Sequence, residues 1–369
     1  MLADTVPLYP LYALLFVDTG LSGADISGLF VIWATVGFVA EVPSGALADR
    51  FSRRGVLVAA GVLQAGGYAL WIALPGFSAF AAGFALWGLG GALVSGALEA
   101  LLYDGLAVVG AEAHYARVQG RVTAVGLLAQ LPAAAAATVL FSLGGYDLAG
   151  WVSVGCCLAA AALASRLPEP PREPTAHGAA DPTGYLTTLR AGLTEAAARP
   201  EVRAAVLAVA VLAGLDGLEE YFTLLARDWG MPTPVIPVAV LGIPLAGAAG
   251  AALGGVASRL GPSGLAVLLG AAAALLGGAG LVGHPPGLAG VAVFYGLYQL
   301  VLVVADARLQ QRINGPARAT VTSVAGLGSE LATVVLYAAW ALGEVALVAA
   351  LVLLVAAVLP RWLRAGGSG

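Results

Sequence analysis

The residues best suited to chemistry are carboxylates that interrupt apolar stretches. Asp216, Glu219, Glu220 and Thr223 recur at i, i+3, i+4 and i+7, a spacing that puts side chains on one helical face, with Arg227 one turn further on. Three acids this close cannot all stay charged at ordinary cost, so at least one is expected to exchange a proton. The alternative is that they stand in an outer vestibule, solvated or paired with Arg227. In a later stretch Gln299, with Tyr295 and Tyr298 beside it, offers polar contacts. Glu99 shares a helical face with Ser95 and Tyr103, Glu41 lies about 10 Å inside the end of its stretch at 1.5 Å per residue, and Glu330 has no evident partner. Asp4 is a proton or cation site if residues precede Met1, and a surface group if they do not. Trp33, Trp87, Tyr221, Phe222, Tyr295 and Tyr298 offer faces for a lipophilic ligand, or else pack and anchor.

Other chemistries lack residues. Cys156 and Cys157 are adjacent, which suits neither a structural disulfide nor a metal site. His114, His177 and His284 all fall between apolar stretches, and neither His-Glu-x-x-His nor Gly-x-Ser-x-Gly occurs. An enzyme, a bound metal and a cofactor are therefore not expected.

The elements that position these acids must cross a membrane. Of 369 residues 60% are apolar and only 10% charged, against about a quarter charged in soluble proteins. The apolar residues fall into stretches of roughly 20, the length a helix needs to span hydrocarbon. Twelve spans are expected, at about 2–17, 26–48, 55–74, 79–103, 118–143, 148–166, 202–226, 234–257, 265–283, 287–305, 319–341 and 345–360. Span 1 is short, which suggests a native start upstream, and residues 365–369 read as an appended tail. Acids lie inside the spans at a cost of roughly 2.5–3.5 kcal/mol each, which marks them as functional candidates.

All 17 basic residues are Arg, and 16 of them fall in loops on one side, Arg227 being the exception. That bias predicts a multi-pass protein of the cell membrane with both termini cytoplasmic. The net charge of −4 and the lack of a basic tail exclude nucleic acid as a partner. A Pro- and charge-rich segment, 168–199, separates two sets of six spans, 1–167 and 200–364. Val122-Thr123-Ala124-Val125 matches Val321-Thr322-Ser323-Val324, and Gly45-Ala46-Leu47-Ala48-Asp49-Arg50-Phe51 echoes Gly254-Gly255-Val256-Ala257-Ser258-Arg259-Leu260, as a six-plus-six parallel repeat requires.

Gly45-Ala46-Leu47-Ala48-Asp49-Arg50-Phe51-Ser52-Arg53-Arg54 resembles the loop motif of the major facilitator superfamily, Gly-x-Leu-x-Asp-Arg-x-Gly-Arg-Arg, with Ser52 in place of the usual Gly. The resemblance covers essentially the whole chain. It implies two pseudo-symmetric six-helix bundles around a cavity open alternately to each side, lined by spans 1, 4, 7 and 10. Gly45 allows a close helix approach, and Asp49 can accept from backbone N–H groups at a helix N-terminus. Arg50, Arg53 and Arg54 can pair with Asp104 at the end of span 4. Together these residues form a cytoplasmic latch whose pairs must break on opening; the alternative is that the arginines only set topology. In the second half Ser258 replaces the acid, so the latch there is expected to be weak. The antiporter pattern of span 5 survives only as Gly126, Pro132 and the small run Ala133–Ala137.

No Arg lies in the core of any span, so the expected substrate is a neutral or cationic amphipathic small molecule rather than an anion. Exchangeable acids imply coupling to a proton gradient, and the expectation is export by a monomer in the lipid bilayer. Uptake of a sugar, peptide or other nutrient is the alternative, and a transport-inactive receptor or sensor is the alternative of another class.

Overall fold

The computed structural model describes residues 5–111, 114–169, 199–312 and 318–364, and every regular element among them is helical. The chain divides into two compact units, Met1–Tyr185 and Leu186–Gly369. Eight described helices are long and apolar enough to cross a membrane, and the two longest each contain a sharp break.

In the first unit a 3₁₀ turn, Tyr9–Leu11, leads into α1 (Tyr12–Asp18), followed by α2 (Gly23–Arg50), α3 (Arg53–Ala73), α4 (Phe77–Val108) and α5 (Tyr115–Ala164). Span 1 is thus shorter than expected: Pro7 and Pro10 lack the N–H groups that helix turns require, and helix begins only at Tyr9. Asp4 lies outside the described residues. α4 packs on α2 and α3, and α3 packs on α5. The core is aromatic: Tyr12, Phe16, Phe30, Trp71, Phe80 and Phe84 meet edge-on or tilted, with Phe16 and Phe80 centred 4.2 Å apart. The indole N–H of buried Trp71 donates to the Phe80 carbonyl at 3.1 Å.

The second unit opens with α6 (Pro200–Gly214), where Pro200 starts the helix without sacrificing an internal hydrogen bond. Span 7 was expected to be one continuous helix. It is instead α6, a 3₁₀ segment Leu215–Tyr221, and α7 (Phe222–Asp228). Gly214 and Gly217 lower the helix propensity there. Side chains of neighbouring helices also take up the carbonyls that the break leaves under-satisfied. Span 8 is broken too, into α8 (Ile236–Ala239), α9 (Gly242–Ala252) and α10 (Gly254–Ala257). Pro244 cannot bond the Val240 carbonyl four residues back, and the interruption falls at Val240–Leu241. α11 (Pro262–Val282), α12 (Gly287–Arg312) and α13 (Arg318–Leu363) complete the unit. α9 and α11 pack on α12, and α13 packs on α6 and α11.

The long helices carry the repeat. α5 breaks at Gly144 (φ −155°) and Gly145 (φ 63°, ψ −155°), and α13 breaks at Gly343 (φ −160°) and Glu344 (φ 49°, ψ −141°). The two breaks are as far apart in sequence as Val122 is from Val321, so they share the register of the matched tetrapeptides. Each divides its helix into two arms. Only the second break puts a side chain in a region that favours glycine, at a cost of order 1–3 kcal/mol. Glu344→Gly is therefore expected to raise the unfolding free energy by about 1 kcal/mol. A calorimetric or fluorescence melt in detergent checks this, with Gly145→Ala predicted to move the melt the other way.

Candidate functional site

The acid cluster sits on the 3₁₀ segment, and this changes its geometry. In a 3₁₀ helix residues i and i+3 eclipse while i+4 is rotated away. Asp216 and Glu219 therefore share a face, and Glu220 leaves it, which corrects the expected single face of three acids. Asp216 is turned toward α12: its Oδ1 accepts from the Tyr295 hydroxyl at 2.7 Å and from Gln299 Nε2 at 2.8 Å. Glu219 keeps accessible surface although the surrounding helices enclose it, whereas Glu220 is buried on the side where Tyr337 of α13 lies within electrostatic reach. Thr223 falls in α7, and Glu330 lies on the first arm of α13, also within electrostatic reach of Tyr337.

Neighbouring helices hold the break open. The Tyr298 hydroxyl donates to the Leu212 carbonyl at 2.7 Å, and the Thr333 hydroxyl shares its one proton between the Ser329 carbonyl of its own helix at 3.0 Å and the Gly214 carbonyl at 3.2 Å. The Leu212 and Gly214 carbonyls flank the change from α to 3₁₀ geometry, where regular bonding lapses. Tyr298 and Thr333 give no signal of this role in the sequence, since those two carbonyls lie 86 and 119 residues away. Tyr295 in turn depends on Gly247 of α9: a Cβ there would come within 2.6 Å of two Tyr295 ring atoms. Glycine at this position lets the ring lie against α9 with its hydroxyl on Asp216.

The aromatic residues expected to face a ligand are mostly committed to packing. Tyr221 is fully buried and stacks on Trp340 with centroids 4.0 Å apart. Phe222 meets Tyr295 edge-on at 5.3 Å, Tyr298 is fully buried, and Trp33 lies on Trp87 at 5.2 Å. Tyr295 is itself buried, so it acts through Asp216. Trp33 and Trp87 remain partly exposed.

A second polar grouping lies in the first unit. The Arg53 guanidinium pairs with the Asp104 carboxylate, joining the start of α3 to the last turns of α4. Ser52 caps α3 by accepting from the Gly55 N–H at 3.0 Å. Glu169, read in the sequence only as part of a linker, closes the network: it accepts from the Ser52 hydroxyl at 2.5 Å and from the Arg53 N–H at 2.7 Å. The anion at the N-terminus of α3 is Glu169. Arg54 is exposed. Glu41, Gly45, Asp49 and Arg50 lie on the closing turns of α2 and Glu99 lies on α4, with side-chain placements outside the described set. At the corresponding turn of the second unit, Ser258 bonds its own turn at Gly255, and Arg308 donates to the Leu260 carbonyl.

Comparison with known proteins places these features in a wider setting. Residues 1–337 match the sequence profile of the Major Facilitator Superfamily. No curated protein matches the chain. Solved structures similar to it include the nucleoside transporter NupG, at 13% identity over 98% of this chain and 95% of that one, with a TM-score of 0.72. The D-xylose-proton symporter is 12% identical over 98% and 94% of the two chains, with a TM-score of 0.70. The POT family transporter PepTSo is 11% identical over 98% and 96%, also with a TM-score of 0.70. At these identities the likeness is one of fold.

Tyr295→Phe removes one donor to a carboxylate and should cost about 1.5–3 kcal/mol. Gly247→Ala should act in the same direction by moving the ring, and the double variant should lose less than the sum, because both act through one contact. At the other grouping, Glu169→Gln should cost about 1 kcal/mol by weakening the anionic cap of α3, while Arg54→Gln, at an exposed position, should stay within about 0.5 kcal/mol. Thermal unfolding in detergent reads all of these.

Proposed function

Because the chain belongs to the major facilitator superfamily, we propose that this secondary transporter works by alternating access, exporting neutral or cationic amphipathic small molecules in exchange for protons. The observation that carries this reading is the pair of carboxylates on the 3₁₀ segment: Asp216 anchored through Oδ1 by Tyr295 and Gln299, and Glu219 accessible beside it. A site supplied with acids favours a positively charged or neutral partner and disfavours an anion. Asp216 is a fixed acceptor whose position α12 controls. Glu219 has no such anchor, and it is the group that trades a proton for the positive charge of the substrate.

Arg53, Asp104 and Glu169 form the latch of this mechanism. The network ties the starts and ends of α3, α4 and α5 together while one state persists, and it must yield when that end of the unit opens. A partly exposed pair contributes only about 0.2–1 kcal/mol, enough to bias an equilibrium between two states without locking it. Asp49, Arg50 and Arg54 belong to the same proposed latch, Gly45 to its close helix approach, and Asp4, Glu41, Glu99 and Glu220 to the proposed proton and substrate path. No cofactor enters the reaction; the proton gradient is its energy source.

Purified protein in vesicles with an imposed pH gradient provides the test. An amphipathic amine should move against the proton flow in the wild type. Glu219→Gln should abolish the response to the gradient, by tenfold or more, while amine exchange without a gradient survives. Asp216→Asn should weaken both. Gradient-driven transport unchanged in both variants would overturn the assignment. Movement of solute with the protons, as the name of the D-xylose-proton symporter describes for that protein, would replace export by uptake.

A further inference from the structure

Each member of the acid pair on the 3₁₀ segment keeps an acceptor in hand. On Asp216 both donors go to Oδ1, the Tyr295 hydroxyl at 2.7 Å and Gln299 Nε2 at 2.8 Å, and Oδ2 takes none from a described residue. The two bonds, both from α12, fix that end of the carboxylate. Glu219 accepts no hydrogen bond from a described residue although the surrounding helices enclose it, and the groups that act on its charge most are the acids Glu220 and Asp216. No arginine acts on either member of the pair. An enclosed carboxylate with neither donor nor cation is costly, and a bound group that brings both relieves the cost.

The backbone sets the distance that such a group must bridge. Residues i and i+3 of a 3₁₀ helix eclipse at a rise of about 2.0 Å per residue, so Asp216 and Glu219 stand about 6 Å apart along the axis. Side chains lean toward the N-terminus of their helix, and Glu219, C-terminal of the two and one methylene longer, leans toward Asp216. A tetrahedral nitrogen donating two N–H···O bonds of about 2.8 Å spans about 4.5 Å between its acceptors, within that reach. A hard metal ion calls for about six oxygens, and among the described residues no three His, Cys, Asp or Glu side chains gather to hold one. A quaternary ammonium carries charge but no N–H, and would leave both acceptors unpaired. We propose that this pair recognises a protonated primary or secondary amine, one N–H going to Asp216 Oδ2 and a second to Glu219. The inference rests on the reading of the pair as an export site for cations and narrows its substrate class: the number of N–H donors decides what binds, beyond positive charge alone.

Stepwise N-methylation separates the two. Phenethylamine and its N-methyl, N,N-dimethyl and N,N,N-trimethyl derivatives present three, two, one and no N–H donors on one cationic scaffold. Isothermal titration calorimetry with the purified full chain in detergent at pH 7 reads their affinities. The first two should bind within about threefold of each other, the dimethyl amine about tenfold more weakly or worse, and the trimethyl compound more weakly still. Attraction to charge and apolar area alone predicts the opposite trend, because each methyl adds apolar surface to bury. Glu219→Ala removes a side chain with no hydrogen bond to a described residue, so it should keep the wild-type melt while the preference for the secondary over the tertiary amine falls below threefold. Affinity that holds or rises through the trimethyl compound would overturn this inference and leave cation export standing. A preference for N–H unchanged in Glu219→Ala would equally overturn it, as would binding of none of the four amines. The export reading fails separately, if no cation moves against the proton flow in vesicles.

Discussion

Hydrocarbon supplies no hydrogen-bond partner, so a helix that breaks at membrane depth must be repaired from within the protein. The segment from Leu212 to Tyr221 depends on that constraint. The α-to-3₁₀ change is affordable because Tyr298 and Thr333 bring hydroxyls to the Leu212 and Gly214 carbonyls. Those hydroxyls come from α12 and α13, so the break is a property of three packed helices and cannot belong to span 7 alone. The same packing aims Asp216 at Tyr295 and Gln299 and separates Glu220 from its neighbours. Local backbone geometry thereby gives three similar acids three different surroundings.

The two units repeat a plan and differ in its details. The breaks at Gly144–Gly145 and Gly343–Glu344 share one backbone shape. Between α3 and α4 the junction is an ion pair reinforced by Glu169; at the matching turn of the second unit it is an arginine on a carbonyl. The intramembrane acids show the contrast too, since the second unit concentrates Asp216, Glu219 and Glu220 on one short segment. A duplicated scaffold has kept its fold-defining turns while its polar contacts diverged.

What could be read from the sequence follows the range of the physics. Burying a charge in hydrocarbon is costly wherever it occurs, so the arginine distribution and the apolar stretches report a polytopic membrane protein without any tertiary knowledge. The pairing of Arg53 with Asp104 was also legible, because an acid at the end of one span and a base at the start of another leave few alternatives. The 3₁₀ segment was not, since helical spacing assumes 3.6 residues per turn and the hydroxyls that favour the break are remote. Glu169 was hidden by its setting: Pro168 and Pro170 mark it as linker, and only the fold brings it to the N-terminus of α3. The aromatic residues misled for a related reason, because composition does not distinguish a ring that faces a ligand from one stacked on Trp340.

That stack has an optical consequence. Tyr221 closes the 3₁₀ segment and lies nearly parallel to Trp340, at an interplanar angle of 20°. Each residue turns about 120° in a 3₁₀ helix and about 100° in an α-helix. Rewinding Leu215–Tyr221 into α form would therefore rotate the Tyr221 ring by an accumulated angle of roughly 140° relative to α6. The indole of Trp340 would lose its stacking partner, and its emission would report the change. The protein thus carries a built-in chromophore at the edge of its acid segment, sensitive to the twist of the backbone that holds the carboxylates.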